Sequence, residues 1–231
     1  MPYSSRIVCL ANSRRDGGRC VAGRESLESG AFGKWVRPIG DRPDHEIWLS
    51  EQRYSDGHDA RLLDIIEMRM TKHAPEGHQS ENYILDSSYT WTKASRVSWD
   101  ELSAAVERFP GALWLDGEST KHGQNDKVSE TRAKTLSNSL ILLELHNFVL
   151  RVANENSWNR TQRKVRAKFT CGGAQYILAV TDPIIEDKYL AARDGEYAVN
   201  KARVCVSLGG AFKGVCYKLV AAIITPESAK G

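Results

Sequence analysis

Val165-Arg166-Ala167-Lys168-Phe169-Thr170-Cys171-Gly172-Gly173-Ala174-Gln175-Tyr176-Ile177-Leu178-Ala179-Val180-Thr181-Asp182-Pro183-Ile184 decides how the chain is read. Val165–Cys171 alternates apolar and polar residues, Gly172-Gly173 supplies a turn, and Gln175–Thr181 alternates again, which predicts a β-hairpin. Asp182 then stands where a helix cap is wanted and Pro183 where a first helical residue is tolerated, so a helix is expected over Ile184–Ala192. Upstream, Leu140–Ala153 reads as one long strand that bends where its alternation shifts phase at Asn147. Downstream, Ala202–Leu208 and Val215–Thr225 read as two more strands, joined across Gly209-Gly210-Ala211-Phe212-Lys213-Gly214.

Five strands with one helix after the third is the order of an OB-fold, a small Greek-key barrel. The first half fits the same plan less cleanly. Its strand candidates are Arg6–Leu10, Lys34–Ile39, Leu62–Thr71, Tyr83–Leu85 and Tyr89–Thr92. Ser98-Trp99-Asp100-Glu101 has the capping-box pattern ahead of Leu102, Ala105, Val106 and Phe109, so a helix is expected there, ended by Pro110-Gly111. Glu118–Asn138 is polar and too long for an ordinary connection inside one compact domain. The expected fold is therefore mainly β: two consecutive OB-like five-stranded barrels with one or two short helices. Residues 1–138 form the first domain, with its late helix and polar loop, and residues 139–231 form the second.

The 231 residues are 41% hydrophobic and 26% charged, which excludes collagen-like, coiled-coil and fully disordered chains. No apolar run approaches the roughly 18 residues of a membrane helix, and the N-terminus lacks a secretory pattern. A cytoplasmic protein with no membrane partner is expected. The five cysteines include no CxxC pair and read as reduced structural thiols. Residues 1–118 carry 15 Lys/Arg against 19 Asp/Glu, whereas 119–231 carry 17 against 10. A basic second half suggests a polyanion-binding face there.

Trp158–Lys168 sharpens that suggestion, with Arg160, Arg163, Lys164, Arg166 and Lys168 and no acidic residue. Strand alternation predicts Lys164, Arg166 and Lys168 on one face, about 7 Å apart, with the core on the other. Such a row suits a sugar-phosphate backbone, and Trp158 and Tyr176 are candidate base-stacking rings. Lysines on exposed strands also deter aggregation, and the lack of any balancing acid favours the binding reading. A second cluster is Arg14, Arg15 and Arg19 around Gly17-Gly18, followed by Lys34, Trp35 and Arg37. A third is the late glycine-rich loop, with Lys213 in it and Lys218 just beyond. Catalytic patterns are thin: no nucleophile elbow, no HExxH and no Walker A loop occurs. His73 and His78 lack zinc-site spacing, and Asp56, Asp59 and Asp64 read as a solvated acidic cluster. No cofactor, metal or catalytic residue is assigned, and the chain reads as a binding protein rather than an enzyme.

Several stretches resemble the bacterial dual-OB domain family. These are Asn12-Ser13-Arg14, Gly18–Gly23, Trp35-Val36-Arg37-Pro38, Val180-Thr181-Asp182-Pro183, Cys205–Gly209, Phe212-Lys213-Gly214 and Tyr217–Ile224. The resemblance implies tandem OB barrels, a nucleic-acid or nucleotide-binding role, and a setting in prokaryotic conflict and defence systems. It implies no catalytic residues. The expected partner is a nucleic acid, single-stranded by preference. The alternatives are a protein effector such as a nuclease or helicase, and a nucleotide gripped by the Arg14–Arg19 loop.

Overall fold

The computed structural model describes residues 2–14, 17–42, 45–108, 111–157 and 160–230. It divides into two compact units, residues 1–106 with 226–231 and residues 107–225. The division thus falls well before the boundary expected near Asn138, because the polar stretch 118–138 is built into the second unit.

In the first unit the strands are β1 (Tyr3–Arg14), β2 (Arg19–Ser26), β3 (Phe32–Ile39), β4 (Asp64–His73), β5 (Asn82–Leu85) and β6 (Thr92–Arg96). They run in the order β1-β2-β3-β5-β4, β4 pairs back onto β1, and β6 adds to β4. β3 and β5 pair in parallel, and the other pairings of this unit are antiparallel among the described residues. This closed path is that of an OB barrel. One strand serves both sides of the closure: β1 pairs with β4 over Tyr3–Val8 and with β2 from Ile7 onward, and a bulge between Cys9 and Ala11 lets it bend. Gly23 is required where β2 crosses it, since a β-carbon there would strike the Val8 carbonyl. Ile7, Val21, Val36, Ile66, Met68 and Trp91 fill the interior.

The helix expected after Ser98 does not form. Ser98 and Glu101 do close their reciprocal bonds, at 2.8 and 3.3 Å, but they start only a 3-10 turn over Glu101–Ala105. Val106 is extended, because Glu107 exchanges hydrogen bonds with the Leu142 backbone at 2.9 and 3.1 Å. Phe109 and Pro110 of the expected helix lie outside the described residues.

The second unit contains β7 (Lys127–Ser129), α1 (Glu130–Ala133), β8 (Leu140–Ser157), β9 (Arg160–Cys171), β10 (Ala174–Val180), α2 (Pro183–Leu190), β11 (Gly195–Leu208) and β12 (Val215–Ile224). The order β10-β9-β8-β11-β12, with β12 parallel to β10, repeats the path of the first barrel. Both glycines of the β9–β10 turn have positive φ, 55° and 77°, as the hairpin signal requires. Asn147 adopts φ 50°, and the pairing of β8 with β11 steps over it, from His146 to Phe148. The Asp182 carboxylate accepts from Ile184 and Ile185 at the start of α2 and from Ile223 of β12 at 2.9 Å. Leu143, Val152, Val165, Phe169, Leu178 and Val204 are among the core residues.

Segment 124–129 completes this barrel. β10 and β12 pair only at Ala179–Val180, and beyond that point the two strands are bridged by earlier chain. Gln124 exchanges both backbone bonds with Ile177 of β10, while Lys127–Ser129 pairs with Val215–Tyr217 of β12. Among the described residues no helix is long and apolar enough to cross a membrane.

Candidate functional site

OB barrels present ligands to the outer face of their second and third strands and to the loops after the first and fourth. In the second unit that face is β9–β10, where the row of cations was expected. It is not open. Segment 118–126 lies across it, with His122 Nε2 3.3 Å from the Asn156 carbonyl and Asn125 donating to the Gln175 carbonyl at 2.8 Å. Arg166 is the middle of the expected row and is only 9% exposed. It forms a fork with Glu155 of β8 at 2.6 and 2.9 Å and reaches Asp126 at 3.3 Å. The Asp126 carboxylate also takes the amide and hydroxyl of Thr120. With two carboxylates already on it, Arg166 offers no site for phosphate.

Other members of the expected site are likewise occupied. Arg163 donates to the Leu190 and Ala192 carbonyls at 2.7 and 2.8 Å and pairs with Asp194, so it fixes the end of α2. Tyr176 faces the core, stacked on Phe169 at 5.5 Å with its hydroxyl bonded to the Leu113 carbonyl. Lys218 shares the inward side of β12 with Cys216 and Val220 and is 1% exposed. Its ammonium donates to the Asn125 carbonyl at 2.7 Å and lies 5.4 Å from the Tyr176 ring centre. Burial pulls its pKa down to about 8, against the attraction of Asp126 and Asp116. Of the strand cations, Lys164 is half-buried and Lys168 exposed, 4.0 Å from Glu196. Arg160 opens β9 opposite Ser157. Trp158 lies outside the described residues, as does Arg15 of the first cluster. Lys213 is exposed at the tip of the β11–β12 loop.

In the first unit the equivalent face is β2–β3, and there cations and aromatic rings do come together. Val36 faces the core, so Trp35 beside it faces out. Its cross-strand partner is Arg24, whose guanidinium sits 5.8 Å from the indole centre and is tied to the Gly33 carbonyl. Arg14 and Arg19 are direct cross-strand partners at the mouth of the β1–β2 turn. Like charges in that relation repel. Glu46 lies beside the turn and accepts from the Gly17 amide at 3.3 Å. Lys34, next to Trp35 on β3, leaves the other side of the strand: it donates to the hydroxyl of the core residue Tyr83 at 2.7 Å and pairs with Glu25 at 3.6 Å. Arg37 departs from the expectation: it and Glu81 form a buried pair at 3.1 Å, 3% and 4% exposed.

Arg24 was not legible as a site residue, because its pairing with Trp35 depends on strand register. Phe212 is 60% exposed on the β11–β12 loop, within the glycine-rich stretch that the sequence singles out for Lys213. Of the acidic cluster, Asp56 and Asp59 are exposed as expected, whereas Asp64 is buried and holds Lys93 at 2.7 Å, Arg96 at 3.2 Å and the Tyr54 hydroxyl at 3.0 Å. No group of metal-ligating side chains occurs among the described residues.

No curated protein and no solved structure gives a significant match to the chain. A protein-family comparison does match, over residues 5–223, which takes in both barrels. With two strand paths of OB type and that match along nearly its whole length, the chain belongs to the family of the dual OB-containing domain.

Proposed function

We propose that the chain binds single-stranded nucleic acid through the outer face of its first barrel. The Arg24–Trp35 pair carries this reading. An outward indole gives bases a stacking surface that tolerates any sequence, and a guanidinium tethered beside it meets the backbone. The Arg14–Arg19 pair stands at the β1–β2 turn, one of the two loops that border the ligand face of an OB-fold. The second barrel, with its equivalent face crossed by 118–126, is not the main platform.

Titration with labelled single-stranded DNA, single-stranded RNA and duplex at two salt concentrations tests this. The expected result is preference for a single strand, with affinity that falls as salt rises by about 0.7 log units per log unit of salt for each phosphate neutralised. Trp35→Ala should weaken binding about tenfold, the scale of one lost base stack. The double change Lys164→Glu and Lys168→Glu should leave affinity within about twofold, as expected of charges away from the main platform. Loss of binding in that double variant with Trp35→Ala unaffected would return the site to the second barrel.

A further inference from the structure

The connection between β11 and β12 closes in a two-residue turn. Phe212 and Val215 exchange both backbone hydrogen bonds, at 2.8 and 3.2 Å, and the two residues between them have positive φ, 52° at Lys213 and 80° at Gly214. Turns of this mirror-image form favour Asn-Gly or Asp-Gly, because a short polar side chain or none eases the left-handed backbone. Lysine has no such relief. The chain therefore holds a long cation at a position where turn chemistry asks for asparagine, and strain kept in place at a loop tip is a pointer to function. Gly209, whose amide donates to the Tyr217 carbonyl at 2.9 Å, anchors the other side of the loop.

Phe212 stands on the shoulder of this turn, 60% exposed, with the Lys213 ammonium 5.4 Å from its ring centre. A single exposed phenylalanine is ordinary. This one is held by a paired backbone, next to a strained cation, in a loop 209–214 without an acidic residue. The loop also follows the fourth strand of its barrel, one of the two loops that border the ligand face of an OB-fold. With β9–β10 crossed by 118–126, this loop stays exposed at the border of that face.

We propose that Phe212 and Lys213 form a second contact point for single-stranded nucleic acid, the ring stacking on a base and the ammonium holding the neighbouring phosphate. This rests on the reading of the first barrel as the main platform. A short strand fills that platform alone, and a longer one gains the second contact.

The test uses the full chain and oligonucleotides carrying 5-iodouracil, in lengths of about 8 and about 30 nucleotides, which bracket the site size of one OB-fold. On irradiation the long strand should crosslink within the tryptic peptide Val204–Lys213, and Phe212→Ala should abolish that adduct. The same variant should weaken binding of the long strand about tenfold, the scale of one lost stack, and leave the short one unchanged. Lys213→Asn suits the turn better than lysine does, so weaker long-strand binding in that variant cannot be put down to misfolding. Crosslinks confined to other peptides, with both variants binding the long strand like wild type, would overturn the second contact and leave the first-barrel reading standing. Wild type that binds neither length would overturn both. Trp35→Ala that loses short-strand binding marks the first platform separately.

Discussion

Side chains on a strand alternate in direction, but direction alone does not set exposure. Arg166, Arg37 and Lys218 show this in three ways. Arg166 points outward as its alternation with Val165 and Ala167 predicts, yet chain from forty residues earlier lies over it. Arg37 points outward from β3 and is buried against Glu81. Lys218 points inward, to the end of the barrel, where Asn125 meets it. All three partners are remote in sequence, so none of these burials could be read from local pattern. Glu81→Ala removes the carboxylate from the buried Arg37 guanidinium and should cost about 3–5 kcal/mol, measured as a shift in urea midpoint. Lys218 makes a prediction in pH. Its folded pKa of about 8 lies below the ordinary 10.5, so unfolding takes up a proton between those values and the group's contribution to stability rises across that window. Lys218→Met should therefore show its greatest stability relative to wild type near neutral pH. Thermal unfolding at pH values on either side of 8 should show that advantage shrinking as pH rises.

Elements were legible where the signals for a segment's start, period and end agreed with what it pairs to. The β9–β10 hairpin, its double-glycine turn and the capped start of α2 all lie within twenty residues and are satisfied locally. The bend at Asn147 was also written in the phase of the apolar residues. The segment after Ser98 was not, because a capping box starts a helix without guaranteeing its propagation. There the backbone of Leu142 competes for Glu107 and wins. In α2 the cap has a further duty, since the same Asp182 carboxylate holds the amide of Ile223. Asp182→Ala removes the cap and orphans a buried amide, so it should destabilise the second unit by about 1–3 kcal/mol. Asp182→Asn, which still caps, should recover part of that loss in chemical denaturation.

At the scale of the molecule, the repeated barrel was legible in its second copy and the division between copies was not. The polar run 118–138 has the composition of a linker, while its backbone supplies the strand that bridges β10 and β12. A fragment of residues 107–225 should accordingly fold cooperatively, whereas one of residues 139–225 should leave two strand edges open and aggregate, as gel filtration and circular dichroism would show. The bridging strand also has a history in time. Val128 pairs with Cys216, so about 90 residues must be made after it before its partner exists, roughly 4–18 s at about 5–20 residues per second. A segment that waits so long on the ribosome with its backbone unpaired is safest when it is hydrophilic. The linker-like composition that disguises this strand suits a segment that must wait in water until β12 arrives.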